Sequence, residues 1–128
     1  MSNKTIGKKT ILVIDDEKEI RELLSKFFSE AGYQVLTAEN GLRLISSIET
    51  EKVDLILLDI MMQWISGIDL CRSLRKNPDY TGTKIIFMTG KSSTIDKEEG
   101  FKVGCDDYFI KPFDMKKLLV RVQELIGK

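Results

Sequence analysis

The chain contains no histidine. That absence excludes a Ser-His-Asp triad, a histidine general base, a histidine-ligated zinc and a histidine phosphocarrier. Neither charge is in excess, with 20 Lys and Arg against 20 Asp and Glu, so composition favours neither nucleic acid nor an anionic membrane as partner. No apolar stretch approaches the roughly 18 residues of a membrane span, and no basic-then-apolar leader opens the sequence. A soluble, cytoplasmic protein is expected. The two cysteines, Cys71 and Cys105, lack CxxC spacing and read as reduced packing thiols. Internal repeats, low-complexity segments and Pro/Gly-rich linkers are missing too. The expectation is one domain over residues 1–128, with 1–8 as a flexible N-terminal extension.

What is present is an alternation. Five apolar runs, TILVI (10–14), QVLTA (34–38), VDLILL (53–58), KIIFMT (84–89) and YFI (108–110), alternate with five segments of helical period. Three runs are continuous rather than alternating, as strands buried on both faces of a parallel sheet should be. The first helix places Ile20, Leu23, Leu24, Phe27 and Phe28 on one stripe, with Gly32 as its stop and Glu17–Arg21 and Glu22–Lys26 pairs outside. The last helix repeats the pattern with Met115, Leu118, Leu119, Val122 and Ile126 behind an Asp114 cap. The fourth, about 93–103, is weakened by Ser92, Ser93, Thr94 and Gly100. The fold class expected is α/β, an open doubly wound sheet with helices on both faces, whose function sits at the carboxyl ends of the strands.

Polar residues gather at those ends: Asp15 and Asp16 after the first run, Asp59 after the third, Thr89 after the fourth, Lys111 and Pro112 after the fifth. Each has a plain alternative. Asp16 with Glu19 could cap the first helix, Thr89 could be an ordinary strand former, and a lone lysine before proline is usually solvated. Asp59 resists most, because an isolated carboxylate ending a buried strand is costly unless paired or coordinated. Three converging carboxylates repel one another and need a cation; all-oxygen ligation without His or thiolate points to Mg²⁺, with Mn²⁺ as a substitute. With Lys111 supplying a second positive charge, the pocket suits a phosphoryl group and an aspartyl phosphate on Asp59.

DD at 15–16, LLDIMM around 59, MTG at 88–90 and GCDDYFIKPF at 104–113 together resemble the receiver domain of two-component response regulators, chemotaxis regulators included. The resemblance implies a (βα)5 flavodoxin-like fold with a five-stranded parallel sheet in order 2-1-3-4-5. It implies that Asp15, Asp16, Asp59 and the backbone carbonyl of Met61 hold Mg²⁺. Asp59 would accept phosphate from a histidine kinase or histidine phosphotransfer protein, and Thr89 and Tyr108 would move with it. Lys111 would pair with the phosphoryl oxygens, and the bond before Pro112 would be cis. The resemblance implies no conventional enzyme but a domain that would catalyse its own phosphoryl transfer and slow autodephosphorylation. The change would reach the surface of the fourth helix, fifth strand and fifth helix, there to control a protein partner or an output domain. That surface leaves room for a dimer, while direct nucleic-acid and membrane binding are not implied.

Two positions depart from the family pattern. Gln63 stands where proline is usual, so the loop after Asp59 should be freer or held by a side-chain amide instead, while Ser66, with Asp69 three residues on, can still cap the third helix; Gly90 stands where alanine or another small residue is usual, and Met61 and Lys91 flank the path of a hydrolytic water. Other readings fare worse. A haloacid-dehalogenase-type enzyme needs an acid at position 61, which is Met; a P-loop around GKS (90–92) needs glycine at 85, which is Ile. A flavodoxin-like cofactor binder would meet acids where its phosphate loop belongs. The alternative left standing is a receiver-like interaction module that is not phosphorylated.

Overall fold

The computed structural model describes residues 7–40, 52–61, 66–90 and 97–128. Five strands, β1 (Thr10–Ile14), β2 (Gln34–Ala38), β3 (Leu55–Asp59), β4 (Lys84–Thr89) and β5 (Asp107–Ile110), pair in parallel in the order β2-β1-β3-β4-β5. Among the described residues four helices accompany them: α1 (Lys18–Glu30), α2 (Gly67–Lys76), α3 (Lys97–Val103) and α4 (Met115–Ile126). α3 is the end of the fourth helical segment of the sequence, and α4 is the fifth. The second segment, Gln63, Trp64, Lys91 and the start of the fourth segment lie outside the described residues, as does most of the expected N-terminal extension.

The continuous apolar runs are explained by two cores. Along β1, Ile11 and Val13 face one side with Leu55, Leu57, Ile86 and Met88, where Leu24 and Phe28 of α1 and Leu118 and Val122 of α4 cover them. Leu12 and Ile14 face the other with Ile56, Leu58, Ile85 and Phe87, under Ile68, Cys71 and Leu74 of α2 and Cys105. A period of two thus sends consecutive apolar residues to opposite layers. Both cysteines are free and buried, and burial pushes their thiols up to about 11 for Cys71 and about 12 for Cys105. As packing thiols they are unreactive.

The expected stops and caps hold in part. Gly32 sits at φ +101 behind α1, Asp114 accepts from the amides of Lys116 and Lys117 at the start of α4, and Ser66 accepts from Asp69 at the start of α2. The Asp16–Glu19 cap does not form: Glu17 occupies the N-cap position of α1 without a side-chain cap bond. Leu23, assigned to the apolar stripe, is 52% exposed. Gly100 gains a packing reason, since a Cβ there would lie 3.0 Å from the Phe87 ring. No described helix is long and apolar enough to cross a membrane.

One glycine ties the fold to the strand ends. A Cβ on Gly67 would lie 2.6 Å from the Asp59 carbonyl oxygen and 2.8 Å from Ile60 Cα, and backbone cannot yield as a flexible side chain would. Gly67→Ala is therefore expected to cost about 2 kcal/mol by overpacking and to displace the loop after Asp59. A denaturation midpoint equal to wild type would contradict that account.

Candidate functional site

The parallel register brings the ends of β1, β3, β4 and β5 to one edge, with Asp59 opposite Met88 and Thr89 opposite Ile110. Asp15, just past β1, is fully buried. Its amide donates to the Ala38 carbonyl at 3.2 Å. One carboxylate oxygen accepts from the Glu17 amide at 2.9 Å, and the other accepts from Lys111 Nζ at 2.7 Å. Its carbonyl accepts from Arg21 Nη1, also at 2.7 Å. Every polar group of Asp15 is thus committed, which is what burial of a carboxylate requires.

Asp59 closes β3 at 4% exposure. Oδ1 accepts from the Met61 amide at 3.0 Å, and Oδ2 lies 3.7 Å from Lys111 Nζ. Burial raises the Asp59 carboxyl from its ordinary 3.8 to about 6, with the Asp15 charge adding to the rise and Lys111 opposing it. The Lys111 ammonium is itself held above its ordinary value: burial works against it, but the hydrogen bond to Asp15 and the charges of Asp59, Asp15 and Glu17 prevail. One lysine bridges two buried acids and reaches Glu17 Oε1 at 3.5 Å.

Thr89 is fully buried, and among the described residues its Oγ1 has no hydrogen-bond partner. Such an orphan hydroxyl costs about 1–3 kcal/mol when no acceptor reaches it. Its own carbonyl accepts from the Lys111 amide at 2.6 Å, so β4 positions the lysine as well. The Lys111–Pro112 bond is cis. Tyr108 is half-buried against the core layer beneath α2 and α3, and Met61 is 60% exposed beside the site.

The ligand oxygens of Asp15, Asp16 and Glu17 all lie within 4.8 Å of one another. Glu17 directly follows the paired acids but carries no sequence signal of its own; its place in this cluster and its reach to Lys111 mark it out. With Asp59 nearby, the donors are oxygens and the net field is negative, a combination that suits a hard divalent cation such as Mg²⁺.

A family model described as the response regulator receiver domain matches residues 11–123. The chain belongs to that family. Receiver relatives include the uncharacterized transcriptional regulatory protein YrkP of Bacillus subtilis, 44% identical over 112 residues that make up 88% of this chain and 47% of the relative. The phosphate regulon transcriptional regulatory protein PhoB of Pseudomonas aeruginosa is 41% identical, covering 94% of this chain and 52% of its own. The chain therefore spans about half the length of these curated relatives. Among solved structures, chemotaxis protein CheY4 of Vibrio cholerae superposes with a TM-score of 0.86 at 29% identity, covering 93% of this chain and 99% of CheY4. The receiver fold, with its five parallel strands in the order expected from the sequence, is thus shared with proteins of this class.

Proposed function

We propose that this receiver domain is a phosphorylation-dependent switch whose phosphoryl acceptor is Asp59. The observation supporting this reading is the buried Asp59 carboxylate: Oδ1 is fixed by the Met61 amide, and Oδ2 is turned toward Lys111. Oδ2 attacks phosphorus as the P–N bond of a phosphohistidine on a histidine kinase or phosphotransfer protein breaks, and the imidazole departs with the bonding pair. Lys111 neutralises phosphoryl oxygens. Asp15, Asp16, Asp59 and the Met61 carbonyl would hold Mg²⁺, with Glu17 within reach, and a bound Mg²⁺ supplies positive charge to the transferring group.

The switch follows from differential contacts. A phosphoryl group brings about two negative charges and new acceptor oxygens. The orphan Thr89 hydroxyl gains an acceptor available only in the phosphorylated state, so the population shifts toward the arrangement that lets it bond. Tyr108, one strand over, moves with Thr89. The face made by α3, β5 and α4 already exposes Phe101, Ile110 and Val120 at 49%, 45% and 53%, apolar material for an output domain, a partner or a second copy.

Incubation with acetyl phosphate and Mg²⁺ should add one phosphoryl group by intact mass. A folded sample that takes none, from acetyl phosphate or from a phosphohistidine donor, would return the chain to the reading of an unphosphorylated interaction module.

A further inference from the structure

Arg21 belongs to the first turn of α1, where a cation opposes the helix dipole at a cost of about 0.3–1 kcal/mol. On the sequence it looks like the partner of Glu17 in an i,i+4 pair. The structure puts it elsewhere: Nη1 donates to the Asp15 carbonyl at 2.7 Å, a short charge-assisted bond. Meanwhile Glu17 reaches Lys111, and Glu22 pairs with Lys18 at 3.7 Å.

That carbonyl belongs to the peptide joining Asp15 to Asp16. Peptide groups are planar, so gripping the carbonyl fixes the direction in which Asp16 leaves the strand. The peptide before Asp15 is fixed by its amide on Ala38, and the Asp15 side chain is fixed by Glu17 and Lys111. Asp16 is exposed and depends on this backbone for its aim.

We infer that Arg21 is a positioning residue for the acidic metal pocket: its guanidinium, on the Asp15 carbonyl, holds the two acids in the arrangement a divalent cation binds. This rests on reading Asp15 and Asp16 as metal-holding acids. A guanidinium so close also repels a cation, so two effects of opposite sign compete. The short bond to a main-chain atom of a fully buried residue makes ordering the larger, because loss of that bond lets the loop between strand and helix rotate, whereas the charge is partly exposed and screened.

The test is a Mn²⁺ titration followed by the free-ion EPR signal, which reads binding without phosphorylation. Arg21→Ala should weaken Mn²⁺ binding about tenfold, as loss of supporting contacts around ligands does. The Mg²⁺ concentration for half-maximal acetyl phosphate reaction should rise in parallel, while the rate at saturating Mg²⁺ stays at the wild-type value. Arg21→Lys, which retains charge and a donor without the planar fork, should fall between the two. Urea unfolding without metal checks that Arg21→Ala is folded; if it is not, the Arg21→Lys titration decides. Unchanged or tighter Mn²⁺ binding in the folded variants would overturn the inference. A wild type that binds Mn²⁺ yet takes no phosphoryl group would remove the phosphorylation reading and leave the Arg21 inference to stand or fall on the titration.

Discussion

Replacing Asp59 by asparagine is expected to abolish the phosphoryl adduct and, in metal-free protein, to raise stability at neutral pH. The two effects share a cause. The carboxylate proposed as nucleophile is a charge held out of water beside Asp15, with Lys111 and the Met61 amide compensating only in part. Its amide isostere keeps an oxygen for Met61 but has no charge to desolvate and no nucleophilic oxygen to offer phosphorus. Lys111 retains its closer partner, Asp15, at 2.7 Å, so the substitution leaves no ammonium stranded.

The pH dependence follows from linkage. Asp59 binds its proton more tightly in the folded protein, about 6, than at its ordinary 3.8. Relative to the asparagine variant, wild type therefore loses nothing below pH 4 and loses stability progressively as pH rises through about 6. At about 1.4 kcal/mol for each tenfold change in proton affinity, the gap reaches roughly 3 kcal/mol above pH 7. Urea midpoints of both proteins at pH 4 and pH 8 measure it directly. Added Mg²⁺ should narrow the gap by stabilising wild type more than the variant. A difference that is the same at both pH values would show that Asp59 is not held as an uncomfortable charge.

The fold was legible because its signals are local and redundant. Continuous apolar strands, two amphipathic helices and the acids after β1 and β3 all pointed to a parallel sheet with a polar edge. What escaped were contacts decided by long-range packing. Asp106 and Asp107 are the clearest case. Read in GCDDYFIKPF, they carried a resemblance and nothing more. In the structure they turn to opposite helix layers: Asp106, just before β5, pairs with Arg75 of α2 at 2.9 Å, and Asp107, its first residue, pairs with Arg121 of α4 at 2.6 Å. Two consecutive acids thus brace an edge strand between helix layers, a role that composition cannot distinguish from metal binding. Arg21 was given to Glu17 for a similar reason: the i,i+4 rule is blind to a carbonyl outside the helix. Gly100 reads as a weakness of its helix in the sequence because the Phe87 ring beneath it belongs to β4, distant along the chain.

Arg75→Ala should be the most destabilising change away from the edge that holds Asp59, by about 3 kcal/mol, the scale for removing one partner of a largely buried pair. A single guanidinium joins four elements. Nε donates to the Gly104 carbonyl at 2.9 Å, Nη1 to the carbonyls of Tyr80 at 3.1 Å and Thr83 at 2.6 Å, and Nη2 to Asp106, whose same oxygen accepts from the Ile85 amide at 2.8 Å. The end of α2, the turn at Pro78–Tyr80, the start of β4 and the exit of α3 are fixed together at the end of the sheet remote from Asp59. Truncation takes a donor from the Gly104 and Thr83 carbonyls, leaves the Tyr80 carbonyl the Thr83 amide and leaves the partly buried Asp106 carboxylate the Ile85 amide alone of these two donors. Arg75→Lys should recover little, because an ammonium cannot present a planar fork to acceptors on several sides. Asp106→Asn, alone and combined with Arg75→Ala, gives the coupling between them by a double-mutant cycle. On the proposed function, the fraction that remains folded should accept phosphate at the wild-type rate, since the edge that holds Asp59 touches none of these atoms. A loss below about 1 kcal/mol, the scale of an exposed ion pair, would mean that water replaces the guanidinium without penalty.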